Sequence, residues 1–170
     1  CELYMQNIII KGAPGSPYTR KMLSIMRYRR IIYEYVITGL DGESIMSVGN
    51  LPRAKVELLP TFYFKNKNDI LEPMIDSTFI LRKLELIYRK RSVIPNDEVT
   101  KFLNYFLEDY ADEWLTKATF HYRWSYDKDI EKAGSTLSRW TSLTKTEEEI
   151  LPIKQDIMNR QISRLKIVGS

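Results

Sequence analysis

The chain has 170 residues, 44% of them hydrophobic and 28% charged, with a net charge of +4 and a pI of about 9.0. This is the balance of a globular protein with a sizeable core, and the absence of any apolar run near the roughly 20 residues of a membrane span argues against a membrane partner. One cysteine, Cys1, and one histidine, His121, exclude an intrachain disulfide and the ligand sets of structural zinc, so no metal is expected and a reducing, cytoplasmic setting fits.

The basic residues are spread along the chain, which argues against nucleic acid and for a small anionic ligand. Residues 7–11 read as a short buried strand. The Gly- and Pro-rich loop 12–17 follows. Ser16 is placed as the N-cap of a helix, with Pro17 at its first position, where a missing N–H costs nothing. Met22, Leu23 and Met26 make its apolar stripe, and Arg27, Arg29 and Arg30 suit the negative end of its dipole.

Residues 31–37, rich in β-branched and aromatic types, read as a second strand. Strand–helix–strand predicts a parallel pair. Residues 38–55 are irregular, with room for a short helix near 43–48. Residues 58–64 predict a third strand entered through Pro60, and 70–72 a fourth, antiparallel to it. Asp76 and Ser77 cap a helix predicted to reach about Arg91.

After a linker at 92–96 the periods are helical. Residues 97–120 carry Val99, Phe102, Leu103, Phe106 and Tyr110 on one face. Ser125, Asp127 and Asp129 open a helix towards Trp140. Thr144 or Thr146, before three glutamates, opens a last one, in which Pro152 predicts a break or kink.

Three short pieces carry chemistry: Gly15-Ser16-Pro17-Tyr18-Thr19-Arg20-Lys21, Leu59-Pro60-Thr61 and Asp76-Ser77-Thr78. In this order, on βαβ–ββα followed by helices, they resemble a soluble glutathione transferase. The resemblance implies a thioredoxin-like α/β domain with a mixed four-stranded sheet over 1–91. An all-α domain over 97–170 follows, shorter than the family's, so the chain is expected to be incomplete. Ser16-Pro17-Tyr18-Thr19 is similar to the Cys-Pro-Tyr-Cys site of glutaredoxins with both cysteines replaced, so dithiol exchange is not available.

The resemblance implies that glutathione is bound as co-substrate and its thiolate added to a small hydrophobic electrophile, the chemistry of detoxification. A free thiol has a pKa near 8.5, so only a few per cent is ionised at pH 7. Lowering it by about 2 units takes roughly 2.7 kcal/mol. A hydrogen bond to the anion supplies about 1.5–3 kcal/mol and a helix dipole about 0.3–2. Ser16 is therefore the catalytic candidate, with Tyr18 behind it; Ser16 serving only as a cap is the plain alternative.

By the same resemblance, Leu59 offers its backbone to the cysteinyl part of glutathione beside a cis Pro60, Ser77 holds the γ-glutamyl carboxylate, and Asp76 meets its amine. A trans Pro60 and a simple cap at Asp76-Ser77 are the alternatives. Lys55 is the candidate for the glycine carboxylate, or a solvated charge. Tyr110 and Trp114 are candidates for an electrophile cleft between the domains, or plain core. Pairing of two copies is implied by the family alone. The competing reading is a non-catalytic binding or scaffold module on the same fold.

Overall fold

The computed structural model describes residues 7–38, 51–140 and 144–169. The chain divides into two compact units, 1–93 and 94–170.

In the first unit Ile8–Gly12 form strand β1 at the centre of a four-stranded sheet. Pro17–Arg29 form helix α1, Tyr33–Ile37 strand β2, Thr61–Lys65 β3, Leu71–Met74 β4 and Ser77–Ile87 helix α2. The strand order is β2-β1-β3-β4. β1 runs parallel to β2 and antiparallel to β3, and β4 is antiparallel to β3. This is the mixed sheet that the βαβ–ββα reading predicts.

Alternation along β1 builds the core. Ile8 and Ile10 lie on one face with Met22, Leu23 and Met26 of α1, Phe62 and Phe64 of β3, and Ile80 and Leu84 of α2. Ile9 turns to the other face, with Val36 and Tyr63. The expected helix near 43–48 lies outside the described residues.

α1 ends in a Schellman arrangement. Arg30 is left-handed (φ 56°), its N–H bonds to the Arg27 carbonyl, and the Ile31 N–H reaches the Met26 carbonyl at 3.0 Å. α2 stops at Ile87, short of the predicted end near Arg91. Tyr88 turns extended, and the Arg29 guanidinium donates to its carbonyl. β3 starts at Thr61 rather than 58, because the Leu58 carbonyl accepts from the Thr61 hydroxyl at 2.7 Å and holds the entry as a turn.

The second unit is helical. Glu98–Asp109 form α3 and Thr116–Trp124 form α4, joined by a π-helical segment, Tyr110–Leu115. The sequence period shows no sign of that segment. Asp127–Leu137 form α5, Glu147–Ile162 α6 and Leu165–Val168 α7. Ser125 does not cap α5: its hydroxyl meets His121 Nδ1 at 3.1 Å, and Tyr126 holds the cap position.

Of the break or kink expected at Pro152, the break does not occur: α6 runs on to Ile162. Proline removes one hydrogen bond there. Buried Ile150, Ile157 and Gln161 and a complete capping box outweigh that loss. Thr146 Oγ accepts from the Glu149 N–H, and the Glu149 carboxylate accepts from the Thr146 N–H at 2.8 Å.

The Thr146 backbone N–H, then its side chain, holds the Glu149 carboxyl below its ordinary value of 4.5. A depressed folded value stabilises the fold above pH 4.5 and is lost as pH falls through the folded value. In Glu149→Gln, stability followed by circular dichroism from pH 6 to 3 is expected to fall less steeply than in the wild type. Equal slopes would remove this group from the acid response.

Candidate active site

The sheet register gathers the three sequence pieces. Lys11 at the end of β1 pairs with Thr61 at the start of β3. The Gly12–Ser16 loop leaves from that end of β1, and Leu59-Pro60 enters β3 there. Phe62 pairs with Met74 near the end of β4, so Asp76-Ser77 emerge at the same end. Antiparallel pairing thus brings positions 16, 60 and 77 to one edge of the sheet.

Ser16 is the N-cap of α1, with Pro17 in the first turn. Its Oγ accepts from the Thr19 N–H at 3.3 Å, and its own N–H bonds to the Ala13 carbonyl. A hydroxyl has one donor and two acceptor positions. Accepting from Thr19 leaves the O–H able to donate outwards, so capping and anion contact are compatible. Thr19 is fully buried, against Gly12, where an added Cβ would sit 2.6 Å from the Thr19 methyl. Gly12 is therefore required by close packing under the loop. Tyr18 is half-buried on the first turn.

The Leu59–Pro60 bond is cis, as the resemblance implies. Pro60 is buried and Leu59 half-buried. Asp76 is the N-cap of α2 with φ at 75°, a left-handed value that is costly for a residue with a Cβ. Its carboxylate accepts from the N–H groups of Thr78 and Phe79. The Ser77 N–H is outside this cap, and Ser77 itself is buried.

One contact was not foreseen. Lys21 Nζ donates to Ser77 Oγ at 3.2 Å, joining α1 to the N-terminus of α2 across 56 residues. The signal was present in the sequence: the first turn of α1 has no acid, while Arg20 and Lys21 place cations near the helix end that repels them. Such a placement fits an anion to be held.

Lys55 is exposed, and among the described residues it makes no hydrogen bond to Ser16, Ser77 or Lys21. Tyr110 and Trp114 stand in the π-helical segment, 44% and 64% exposed. Their reading as plain core does not hold, because both rings remain open to solvent. Lys117 Nζ lies 5.3 Å from the Trp114 ring centre.

Residues 11–92 match the family model of the glutathione S-transferase N-terminal domain. Residues 11–92 are thus similar to the N-terminal domain of glutathione transferases. Three solved structures are similar to this chain to different degrees. A maleylacetoacetate isomerase from Anaeromyxobacter dehalogenans, solved with dicarboxyethyl glutathione and citrate in its active site, is 11% identical, with 94% of this chain and 84% of that one covered and a TM-score of 0.52. Glutathione transferase Omega 2S from Trametes versicolor, in complex with 2,4-dihydroxybenzophenone, is also 11% identical, with 97% and 90% covered and a TM-score of 0.51. A glutathione S-transferase from the Antarctic clam Laternula elliptica is 16% identical with a TM-score of 0.42; the alignment covers 93% of this chain but 64% of the clam enzyme. No curated protein matches in sequence. At these identities the isomerase and the omega transferase establish a shared fold, with a thioredoxin-like domain and a helical remainder.

Proposed function

We propose that the glutathione transferase-like chain binds glutathione at the sheet edge carrying Ser16, Leu59-Pro60 and Asp76-Ser77, and adds its thiolate to a small hydrophobic electrophile. The observation that carries this reading is the convergence of a capping hydroxyl, an N-terminal helix end and the Lys21–Ser77 pair at one end of the sheet. The donor set suits the ligand. Lys21, Ser77 and the Ser77 N–H hold the γ-glutamyl carboxylate, as helix N-termini hold anions. Asp76 meets the amine, the Leu59 backbone pairs with the cysteinyl residue as an added strand, and Ser16 donates to the sulfur. Lys55 is the proposed partner of the glycine carboxylate. Tyr110 and Trp114 offer aromatic surface to the electrophile. Two copies are proposed to pair, as in the family.

The reading is tested by thermal unfolding with glutathione. Ligand at about 100 times its Kd adds roughly 2.7 kcal/mol, which raises Tm by several degrees in a chain of this size. Lys21→Met is expected to raise the Kd about tenfold or more, the loss of one charge-assisted hydrogen bond, and Lys21→Arg to recover most of it. An unchanged Tm at millimolar glutathione would sink the glutathione reading. A Tm shift without conjugation of an activated chloroarene would leave a binding module.

A further inference from the structure

The net charge is not spread evenly between the units. Residues 1–93 carry fifteen Lys and Arg against nine Asp and Glu, a net of +6, while 94–170 carry eleven against thirteen, a net of −2. Six of the fifteen lie in two tracts, Arg27-Tyr28-Arg29-Arg30 and Arg89-Lys90-Arg91. The fold joins them. Arg29 donates to the Tyr88 carbonyl and Arg91 Nε to the Tyr28 carbonyl, and the Arg91 guanidinium lies 4.7 Å from the Tyr28 ring centre.

We propose that this joined C-terminal end of α1 and α2 is a basic face that binds single-stranded nucleic acid along its phosphate backbone. It is separate from the glutathione reading and does not depend on it. Arg27, Arg30, Arg89, Lys90 and Arg91 are exposed. The carboxylates nearest to them along the chain are Glu34 and Glu85. Glu85 is turned inwards, paired with buried Arg29 at 3.0 Å and accepting from the Val93 N–H. Among the described residues none of the five exposed cations is in an ion pair.

Two helix C-termini attract positive charge, but each carries only about half a unit of negative charge. Five cations exceed what the two dipoles balance. The backbone adds an independent sign. Arg30 and Arg91 are both left-handed, at φ 56° and 54°, and Arg30 fills the C′ position where glycine is usual. Arginine is kept there against a conformational cost that glycine avoids.

Four of the five are arginine, whose planar fork fits phosphate oxygens two at a time. Tyr28, 53% exposed among them, carries the Arg91 guanidinium over one face of its ring, which leaves a base the other face to stack on. An anionic bilayer needs several protruding aliphatic groups beside its cations, and this face has two, Ile32 beside the first tract and Leu86 before the second. The face therefore suits a strand with unpaired bases better than a membrane.

The test is anisotropy of a labelled oligothymidylate of about 20 nucleotides, titrated with protein from about 50 to 200 mM salt. Five phosphate contacts on a single strand predict a log–log salt slope of about −3.5, at about 0.7 per contact. The variant Arg30→Gly/Arg89→Gln/Lys90→Gln keeps Arg29, Tyr28 and Arg91, and its slope is expected near −1.4 on the same count. Arg30→Gly alone is expected to raise Tm while weakening binding, because it relieves the left-handed residue and removes one contact. Lys90→Glu, fully on the surface, is expected to weaken binding without moving Tm. No binding at about 50 mM salt overturns the proposal, as does a slope that the variants leave unchanged. Binding to phosphatidylserine vesicles with none to the oligonucleotide also overturns it.

Discussion

Arg29→Met is expected to destabilise the N-terminal unit by about 3–5 kcal/mol, the cost of breaking a buried ion pair by removing one partner. The Arg29 side chain is fully buried near the C-terminus of α1. It faces Glu85 of α2 at 3.0 Å and donates to the Tyr88 carbonyl, while Glu85 also receives the Val93 N–H. One guanidinium thus fixes the end of α2 and the start of the linker to α1. Nε of Arg29 has no hydrogen-bond partner among the described residues, and Nη1 meets Glu85 as an ion pair by distance without hydrogen-bond geometry.

Methionine fills much of the volume but strands Glu85, whose side chain keeps 15% exposure. That partial access to water places the cost at the lower end, about 3 kcal/mol. For a unit of this size each kcal/mol moves Tm by about 4–8 °C, so calorimetry is expected to show a fall of more than about 10 °C. The double variant Arg29→Met/Glu85→Met is expected to recover part of it, because no lone charge remains buried. A single-variant loss below about 1 kcal/mol would show that the pair is screened like a surface bridge.

What the sequence disclosed and what it hid divide along physical lines. β1, α1 and α2 were legible because hydrophobic alternation and periodicity are local, and because Ser16, Pro17 and Asp76 mark helix starts whose chemistry is local too. The meeting of the three pieces at one end of the sheet was not legible, since it depends on the strand register. The Lys21–Ser77 pair was not foreseen, since 56 residues separate them and only the packing of α1 near α2 brings them together. The basic face was missed for the same reason: two short tracts, each read only as a helix end, meet only in the fold. The π-helical segment left no trace because a single widened turn changes the period by less than sequence variation does. Pro152 does not break α6, because a capping box and three buried side chains hold the helix on both sides of it.

Under the proposed function, Ser16→Ala is expected to lower kcat/KM for conjugation of glutathione by about 10- to 100-fold, the worth of a hydrogen bond of about 1.5–3 kcal/mol to a charged group. The loss is expected in the ionisation of the sulfur rather than in the binding of the peptide. The bound thiolate is the reacting form, so the rate rises with pH through the bound thiol's pKa. Removing a donor that favours the anion moves that pKa upwards, and the pH–rate profile of the variant shifts to higher pH. The Kd of glutathione, set by Ser77, Lys21 and the Leu59 backbone in this reading, changes little.

Ser16 is also the cap of α1, bonded to the Thr19 N–H, and an alanine cap costs about 1 kcal/mol of stability. Ser16→Gly separates the two roles. Glycine caps nearly as well as serine but has no hydroxyl, so it restores Tm and leaves the rate low. Ser16→Thr keeps both the cap and the donor. Tyr18→Phe is the control for the second candidate. A profile that shifts in Tyr18→Phe and stays in place in Ser16→Gly moves the catalytic role from the cap to the first turn of α1. One that shifts in Ser16→Gly alone ties the rate to the hydroxyl whose lone pair already holds the Thr19 N–H, so that the group starting the helix also steadies the sulfur.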